Sequence, residues 1–135
     1  MNVLVDTSAL LALFRDHDAW HVRTRDWLAS TNHMLVTPSS VVQETAFMFG
    51  TAHGPKAEAA FVRTASELTI EQLEASDLLR SAELVEKYAD FPIGFVDASI
   101  VAIAERLDIR DLLTTDRRHF AVIRPAHCER LRLLP

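Results

Sequence analysis

The chain has 135 residues, of which 49% are hydrophobic and 24% are charged, and its formal net charge is −5. This composition is typical of a globular protein and excludes disordered, collagen-like and multidomain chains, so we expect a single domain spanning residues 1–135. The negative net charge counts against a protein that grips nucleic acid with its whole surface.

Charge is distributed unevenly along the chain. Residues 1–105 carry 7 basic and 15 acidic side chains, a net charge of −8, whereas residues 106–135 carry 7 basic and 4 acidic side chains, a net charge of +3. The single cysteine, Cys128, permits neither an internal disulfide nor a four-cysteine zinc site. The apolar start of the chain has no basic leader and is too short to span a bilayer, so we expect a cytoplasmic protein without a membrane segment.

The first part of the chain predicts alternating strands and helices. Residues 2–5 form a β-prone run, and the Leu- and Ala-rich residues 8–14 that follow favour a helix. Residues 19–29 have helical spacing of their apolar side chains, and residues 33–36 favour a second strand. The chain therefore begins with two β-α units.

A long helix is predicted from about Pro38. Ser40 and Gln43 have the spacing of a capping box, and the apolar residues that follow form adjacent rows on one helix face. Gly50 and then Gly54-Pro55 are predicted to end this helix. We expect the apolar residues 47–49 to pack in the core.

The second part of the chain continues the alternation. Residues 57–66 and 74–88 predict helices with a strand at 68–70 between them, and a further helix follows the break at residues 91–94. Residues 112–115 predict a last strong strand, with short edge strands at 121–123 and 130–134. Strands that alternate with helices indicate a parallel sheet covered on both faces, which is an α/β fold.

Four acidic residues far apart in the sequence are expected at one edge of this sheet. Asp6 and Asp116 each come directly after a predicted strand, and ligands of open parallel sheets bind at the carboxyl ends of the strands. Glu44 and Asp97 lie in helices that can point to the same edge. Two like charges about 4 Å apart repel by roughly 4 kcal/mol at an effective dielectric near 20, so a divalent cation is the natural partner.

The types of these side chains indicate which cation would bind. Oxygen ligands without cysteine or clustered histidine favour Mg²⁺ or Mn²⁺ over zinc, and such ions activate water and bind phosphate. A structural interpretation stays open, because Asp6, Asp97 and Asp116 also suit helix N-caps. Glu44 does not fit that interpretation, because it is not at a cap position and has apolar helical neighbours.

Four segments that carry these acids resemble those of the PIN-domain ribonucleases, and most closely their VapC-like toxins. The resemblance implies a three-layer α/β/α fold with a central, mainly parallel sheet, and a metal-dependent endoribonuclease that hydrolyses RNA. It also implies the toxin half of a toxin–antitoxin pair, with a cognate VapB-like antitoxin and a homodimeric state. The segments are residues 3–8 (VLVDTS), 37–45 (TPSSVVQET), 95–102 (FVDASIVA) and 113–120 (LTTDRRHF).

By this resemblance Asp6, Glu44, Asp97 and Asp116 are the catalytic acids that hold one or two Mg²⁺ or Mn²⁺ ions. Asp6 and Asp97 are then ligands of the principal ion, directly or through water. Glu44 and Asp116 orient metal-bound waters or a second ion. Cleavage by a metal-activated water implies products with a 3′-hydroxyl and a 5′-phosphate.

Residues beside these acids are candidates for substrate binding. The resemblance implies assisting hydroxyls at Thr7 or Ser8 and at Thr114, which suit ordinary caps and strand ends equally well. Arg117 and Arg118, with His119 after them, follow Asp116 directly and can bind substrate phosphates. A solvated basic turn is the alternative.

Other chemically suggestive residues do not complete a site. His17 and His21 have i, i+4 spacing but lack a third ligand, so a surface pair is expected. Asp90 is interpreted as a solvated loop carboxylate. Trp20 and Trp27 share a helix face, which suits core packing or a groove for a partner.

Three alternative functions have sequence requirements that can be compared with this chain. A phosphatase of the haloacid-dehalogenase type requires Asp-x-Asp, where this chain has Asp6-Thr7-Ser8. A receiver domain requires a lysine after a late strand, and Lys56 and Lys87 do not follow one. A PIN-like module that binds RNA or protein without cutting would lack at least one acid, and all four are present.

Overall fold

A computed structural model describes all 135 residues of the chain. Its centre is a sheet of five parallel strands in the order β3-β2-β1-β4-β5. Val5 in β1 is paired with Leu113 in β4, so these two central strands end side by side. The strands are β1 (Asn2–Val5), β2 (Met34–Pro38), β3 (Ile70–Glu71), β4 (Asp111–Leu113) and β5 (Arg132–Leu134).

Seven helices connect the strands. The connections from β1 through β2 to β3 progress toward one edge of the sheet, and those from β3 to β4 and β5 run the other way. Because crossovers between parallel strands are right-handed, the first four helices cover one face and the last three the other. The predicted three-layer α/β/α fold is thereby confirmed. The helices are α1 (Thr7–Phe14), α2 (His21–Ser30), α3 (Ser39–His53), α4 (Pro55–Ala65), α5 (Ala75–Lys87), α6 (Phe95–Leu107) and α7 (Arg117–Val122).

The core lies around the two central strands and α6. Residues 3–5 of β1 and residues 112–113 of β4 are completely buried, as expected for parallel strands covered on both faces. Residues 98–104 of α6 are all buried, and six of the seven are apolar. This rigid centre fixes the segments that follow β1 and β4. None of the helices is both long enough and apolar enough to cross a membrane.

Two of the predicted element bounds were wrong. Residues 121–123 do not form an edge strand, because residues 117–122 form α7 and only residues 132–134 add the last strand. Helix α3 does not end at Gly50 but continues to His53. The absent Cβ of Gly50 leaves room for the carboxylate of Glu58 in α4.

Two side chains of α3 also differ from expectation. Ser40 makes no cap, because Pro38 is the N-cap residue and the Ser40 hydroxyl lies 2.7 Å from that of Ser99 instead. Phe47 is 67% exposed, so it is not the core residue that was predicted, whereas Phe49 is buried. The Ser40–Ser99 contact joins the first turns of α3 and α6 at the carboxyl edge of the sheet.

Candidate metal centre and active site

Four chain segments bring acidic side chains to the carboxyl edge of the sheet. Asp6 follows β1 and is the N-cap residue of α1, while Asp116 follows β4 and is the N-cap residue of α7. Asp97 lies in the first turn of α6, and Glu44 lies in the second turn of α3. Because β1 and β4 are neighbours and parallel, the segments that leave them lie side by side.

Asp6 is 4% exposed, and its carboxylate accepts hydrogen bonds on both oxygens. Its Oδ1 accepts from the backbone N–H of Thr7 at 2.7 Å. Its Oδ2 accepts from the hydroxyls of Ser8 and Thr114, each at 2.8 Å. These neutral donors stabilise the ionised form, but burial outweighs them and raises the pKa of Asp6.

The two hydroxyls tie Asp6 to the segment after β4. The Ser8 hydroxyl accepts from the N–H of Thr115 at 3.0 Å, and the Thr114 hydroxyl accepts from the N–H of Asp116 at 2.9 Å. Each hydroxyl therefore gives its proton to Asp6 and receives one from the backbone. This network sets the position of Asp116 relative to Asp6.

Asp97 is the most electrostatically perturbed of the four acids. Its side chain is 18% exposed and makes no hydrogen bond. Burial raises its pKa to about 7, and the negative charges of Asp6, Asp116 and Glu44 add to the effect, while His119 opposes it. Asp97 therefore lies within electrostatic reach of all three other predicted acids.

Asp116 caps a helix and binds a histidine. Its Oδ1 accepts from the backbone N–H groups of Arg118 and His119 at 3.0 and 3.1 Å. Its Oδ2 lies 2.8 Å from Nδ1 of His119, which is also 3.5 Å from Oδ2 of Asp97. Because a carboxylate only accepts, His119 carries a proton on Nδ1 and donates it to Asp116.

The contacts of His119 were not predicted from the sequence. The sequence suggests that His119 binds phosphate together with Arg117 and Arg118, whereas its imidazole contacts both Asp97 and Asp116. Its position three residues after Asp116, in the first turn of the helix that Asp116 caps, was the available signal. The contact with Asp97 spans separate segments and was not visible in the sequence.

Glu44 contributes charge to the site without a partner of its own. It is half-buried and makes neither a hydrogen bond nor an ion pair. Its negative charge raises the pKa of Asp97.

The residues at this edge fit a divalent cation. Asp97, Asp116 and His119 offer ligand atoms that all lie within 4.8 Å of one another, and Asp6 and Glu44 lie outside this closest group. His119 is the one basic side chain that contacts any of the four acids. Carboxylate oxygens that lack Arg or Lys partners suit Mg²⁺ or Mn²⁺.

The predicted substrate-binding residues occupy different environments. The Ser8 hydroxyl, not that of Thr7, contacts Asp6, and the buried Thr7 hydroxyl has no hydrogen-bond partner. Arg117 donates to the carbonyls of Leu133 and Pro135, so phosphate binding by Arg117 would require these bonds to be exchanged. Arg118 is exposed, with its guanidinium 5.3 Å from the centroid of the Phe91 ring.

The remaining suggestive side chains lie outside this cluster. His21 contacts the carbonyl of Ala12 through Nδ1 at 2.7 Å, and His17 is exposed beside Asp16, so the two do not form a metal site. Asp90 is an exposed loop residue. The site is thus confined to the edge that follows β1 and β4.

Comparison with protein families gives a match to the PIN domain over residues 3–124. The chain is 34% identical over 135 residues to Ribonuclease VapC26 of Mycobacterium tuberculosis, a match that covers 98% of this chain and 100% of that protein. All four acids lie within the matched family segment.

Solved structures with the same fold include VapC20 and VapBC2. The sarcin-ricin loop cleaving toxin VapC20 of Mycobacterium tuberculosis is 24% identical with a TM-score of 0.77, covering 86% of this chain and 91% of that chain. VapBC2 of Rickettsia felis, solved on a promoter DNA fragment, is 18% identical with a TM-score of 0.72, and the match covers 100% of both chains. At these identities the likeness concerns the fold.

Proposed function

This chain belongs to the PIN-domain family, in its VapC-like branch, and from that premise we propose that it is a metal-dependent endoribonuclease formed by residues 1–135 as one domain. The observation that carries the proposal is the set of carboxylates at the carboxyl edge of the sheet, which no Arg or Lys neutralises. Such a set is unfavourable unless a cation or a proton is bound.

The four acids have different proposed roles in binding the ion. We assign Asp6 and Asp97 to the principal Mg²⁺ or Mn²⁺, and Glu44 and Asp116 to bound waters or a second ion. When bound, the ion would supply positive charge against a phosphodiester and lower the pKa of a coordinated water. Ser8 and Thr114 act on Asp6 and hold its Oδ2 in place, so they are positioning residues.

His119 is a positioning residue for Asp116. Its Nδ1–H holds one carboxylate oxygen, while the backbone of α7 holds the other. Both oxygens of Asp116 are therefore fixed in direction before any ligand binds. Preorganised carboxylates lower the reorganisation that binding of a cation and a phosphate requires.

RNA is the proposed substrate because of the family and the charge distribution. The curated relative is named a ribonuclease, and one structural neighbour is described as cleaving the sarcin-ricin loop. The basic residues of the last thirty positions include Arg118 beside the acidic cluster, which supplies a cation for a substrate phosphate. Hydrolysis by water would leave a 3′-hydroxyl and a 5′-phosphate.

A small antitoxin is the proposed protein partner. Structural neighbours include VapBC complexes and a toxin–antitoxin complex from Klebsiella pneumoniae. The uncompensated negative charge of the site suits inhibition by a basic side chain of a VapB-like partner. A homodimer remains our prediction for the oligomeric state.

The proposal is tested by incubating the purified protein with total RNA in Mg²⁺, in Mn²⁺ and in a chelator, and mapping the ends of the fragments. We expect cleavage with either ion, none with the chelator, and 5′-phosphate ends. Cleavage that persists in the chelator, or fragments with a cyclic phosphate, would contradict the proposal. Release of inorganic phosphate from small phosphoesters without RNA cleavage would indicate a phosphatase.

A further inference from the structure

Three side chains stack beside the acidic cluster, and we call them the Phe91 stack: Phe91, Arg118 and His119. The ring of His119 meets that of Phe91 edge to face, with centroids 5.4 Å apart. The guanidinium of Arg118 lies over the same ring at 5.3 Å from its centroid. Since His119 contacts both Asp97 and Asp116, the Phe91 ring lies one side chain away from the carboxylates.

Arg118 has no carboxylate partner in this acidic protein. Arg80, Arg106 and Arg132 are each held by one or more acids, whereas Arg118, like Arg23, makes no ion pair. Arg118 is two residues from Asp116, yet the carboxylate receives its backbone N–H and not its guanidinium. The guanidinium instead rests on Phe91, exposed and with its five N–H donors free of other side chains.

We propose that Phe91 and Arg118 form a nucleotide-binding subsite beside the acidic cluster, in which a base of unpaired RNA stacks on the Phe91 ring and Arg118 binds an adjoining phosphate. The inference rests on the proposed ribonuclease function and specifies which part of the substrate this face recognises. It assigns a binding role to Phe91 and leaves the metal-binding roles unchanged.

The chemistry of the pair favours single-stranded RNA. A phenyl ring accepts any base on its face, but the base must first be unstacked from its neighbours, so paired strands are excluded from it. A guanidinium over a ring is held by a weak cation–π contact and can exchange it for a charge-assisted bond to phosphate. Movement of Arg118 from the ring to the phosphate would also free the ring face for the base.

The chain contains a matched control for this pair. The guanidinium of Arg23 lies 4.9 Å from the centroid of the Trp20 ring, and Arg23 is likewise exposed and without an ion pair. Trp20 also contacts Arg117, whose guanidinium donates to the carbonyls of Leu133 and Pro135. Arg23→Gln therefore removes the same charge from the same kind of contact, on a side chain that makes no ion pair with His119 or the acids.

The test measures RNA binding in a background that cannot cut. Arg118→Gln, Phe91→Leu, Phe91→Trp and Arg23→Gln are each combined with Asp97→Asn. Binding is followed by fluorescence anisotropy with a labelled single-stranded RNA of about 12 nucleotides containing all four bases, and with its duplex. Thermal melting of each variant checks that the fold is retained.

We expect Arg118→Gln and Phe91→Leu each to weaken single-strand binding about tenfold, and Phe91→Trp to bind as well as the parent. Arg23→Gln should change binding less than twofold, and none of the Phe91 variants should alter duplex binding. Equal losses for Arg23→Gln and Arg118→Gln would overturn the subsite, because they would show that charge alone acts. Unchanged binding by a folded Phe91→Leu variant would overturn it too.

RNA cleavage by the unsubstituted protein distinguishes a wrong subsite from a wrong proposed function. If the unsubstituted protein cleaves RNA while the Phe91 and Arg118 variants bind single strands as the parent does, the assignment of the subsite is wrong and the nuclease stands. If the unsubstituted protein neither cleaves RNA nor binds the probe, both are wrong.

Discussion

Two buried aspartates in this molecule have opposite surroundings. Asp77, 2% exposed in the first turn of α5, is bound by the guanidinium of Arg106 at 3.0–3.2 Å and also accepts from the N–H of Glu74. Asp6, 4% exposed, is bound by two hydroxyls and one backbone N–H, with other acids nearby. The same side chain is thus neutralised within the fold in one place and left uncompensated in the other.

Asp77 therefore belongs to a structural ion pair, whereas Asp6 belongs to the proposed ligand site. Arg106 also binds Glu71 at 3.0 Å and lies 3.4 Å from Glu74, so one cation joins the start of α5 and the end of β3 to α6. Burying charge in this way is tolerable because the partner is built in. At the carboxyl edge of the sheet no Arg or Lys contacts the acids, and under the proposed function the partner is a cation from solution.

Among these predictions, Asp97→Asn should have the largest effect, which is on RNA cleavage. The substitution keeps the shape of the side chain and removes one negative charge from the ion's ligands, so RNA cleavage should fall by a factor on the order of 10³, about 4 kcal/mol of transition-state stabilisation. Cleavage rates in Mg²⁺ and circular dichroism measure activity and fold. Undiminished cleavage by the folded variant would exclude Asp97 from the site.

Arg106→Gln should produce the next largest effect, on stability. It leaves Asp77 buried without its cation, which costs about 3 kcal/mol and lowers the denaturation midpoint. Cleavage per folded molecule should stay unchanged, because Arg106 does not contact the catalytic acids. The double variant Arg106→Gln with Asp77→Asn should recover part of the loss, and no recovery would mean that the pair itself contributes little.

The stability of the metal-free protein should fall as pH rises from about 4 to about 7. In the fold the pKa of Asp97 is raised from 3.8 to about 7, so within this window the folded state retains a proton that the unfolded chain has lost. Ionisation of Asp97 on the way to pH 8 therefore costs at most about 4 kcal/mol. Melting temperatures of the protein and of Asp97→Asn across this range isolate the contribution.

Added Mg²⁺ should stabilise the protein more at pH 8 than at pH 5.5, since protons compete with the ion for the same carboxylate. The Asp97→Asn variant serves as the control, with a smaller response to the ion at both values. An equal gain in melting temperature at the two pH values for the unsubstituted protein would argue against an ion on Asp97.

The smallest effects are expected from replacing two serines, one beside Asp6 and one beside Asp77. Ser8→Ala removes a hydrogen bond to Asp6, and Ser81→Ala removes one from the buried hydroxyl to the carbonyl of Asp77. Each should cost about 1 kcal/mol of stability. Only Ser8→Ala should also slow RNA cleavage, by up to about tenfold; an equal effect of Ser81→Ala on cleavage would remove the distinction between the two regions.

Much of this fold could be predicted from the sequence. The apolar residues 3–5 and 112–113 are completely buried in β1 and β4, as parallel strands covered on both faces require, and the acids that follow these strands, Asp6 and Asp116, could be located at the carboxyl edge of the sheet. The short apolar run at residues 121–123 suits either a strand or a helix. Residues 121 and 122 belong to α7, whose first turn donates two N–H groups to the N-cap residue Asp116.

What escaped prediction depends on contacts between distant segments. Ser40 has good capping-box spacing, but the neighbouring Ser99 offers it a better partner. Gly50 and Gly54-Pro55 were both predicted as helix ends, and only Gly54-Pro55 ends α3, while Gly50 lies beside the Glu58 carboxylate. The bridge from His119 to Asp97 and the engagement of Arg117 by β5 likewise arise only once the sheet is assembled.

The bonds between Asp6 and Thr114 join residues 108 positions apart and cross from β1 to β4. Strand β4 enters the sheet beside β1 only after some five-sixths of the chain exists, so a nascent polypeptide leaving the ribosome carries Asp6 long before it carries the residues that complete the cluster. Under the proposed function, premature chains and locally unfolded molecules that have released β4 would lack the complete cluster, and RNA cleavage would begin only with the finished protein.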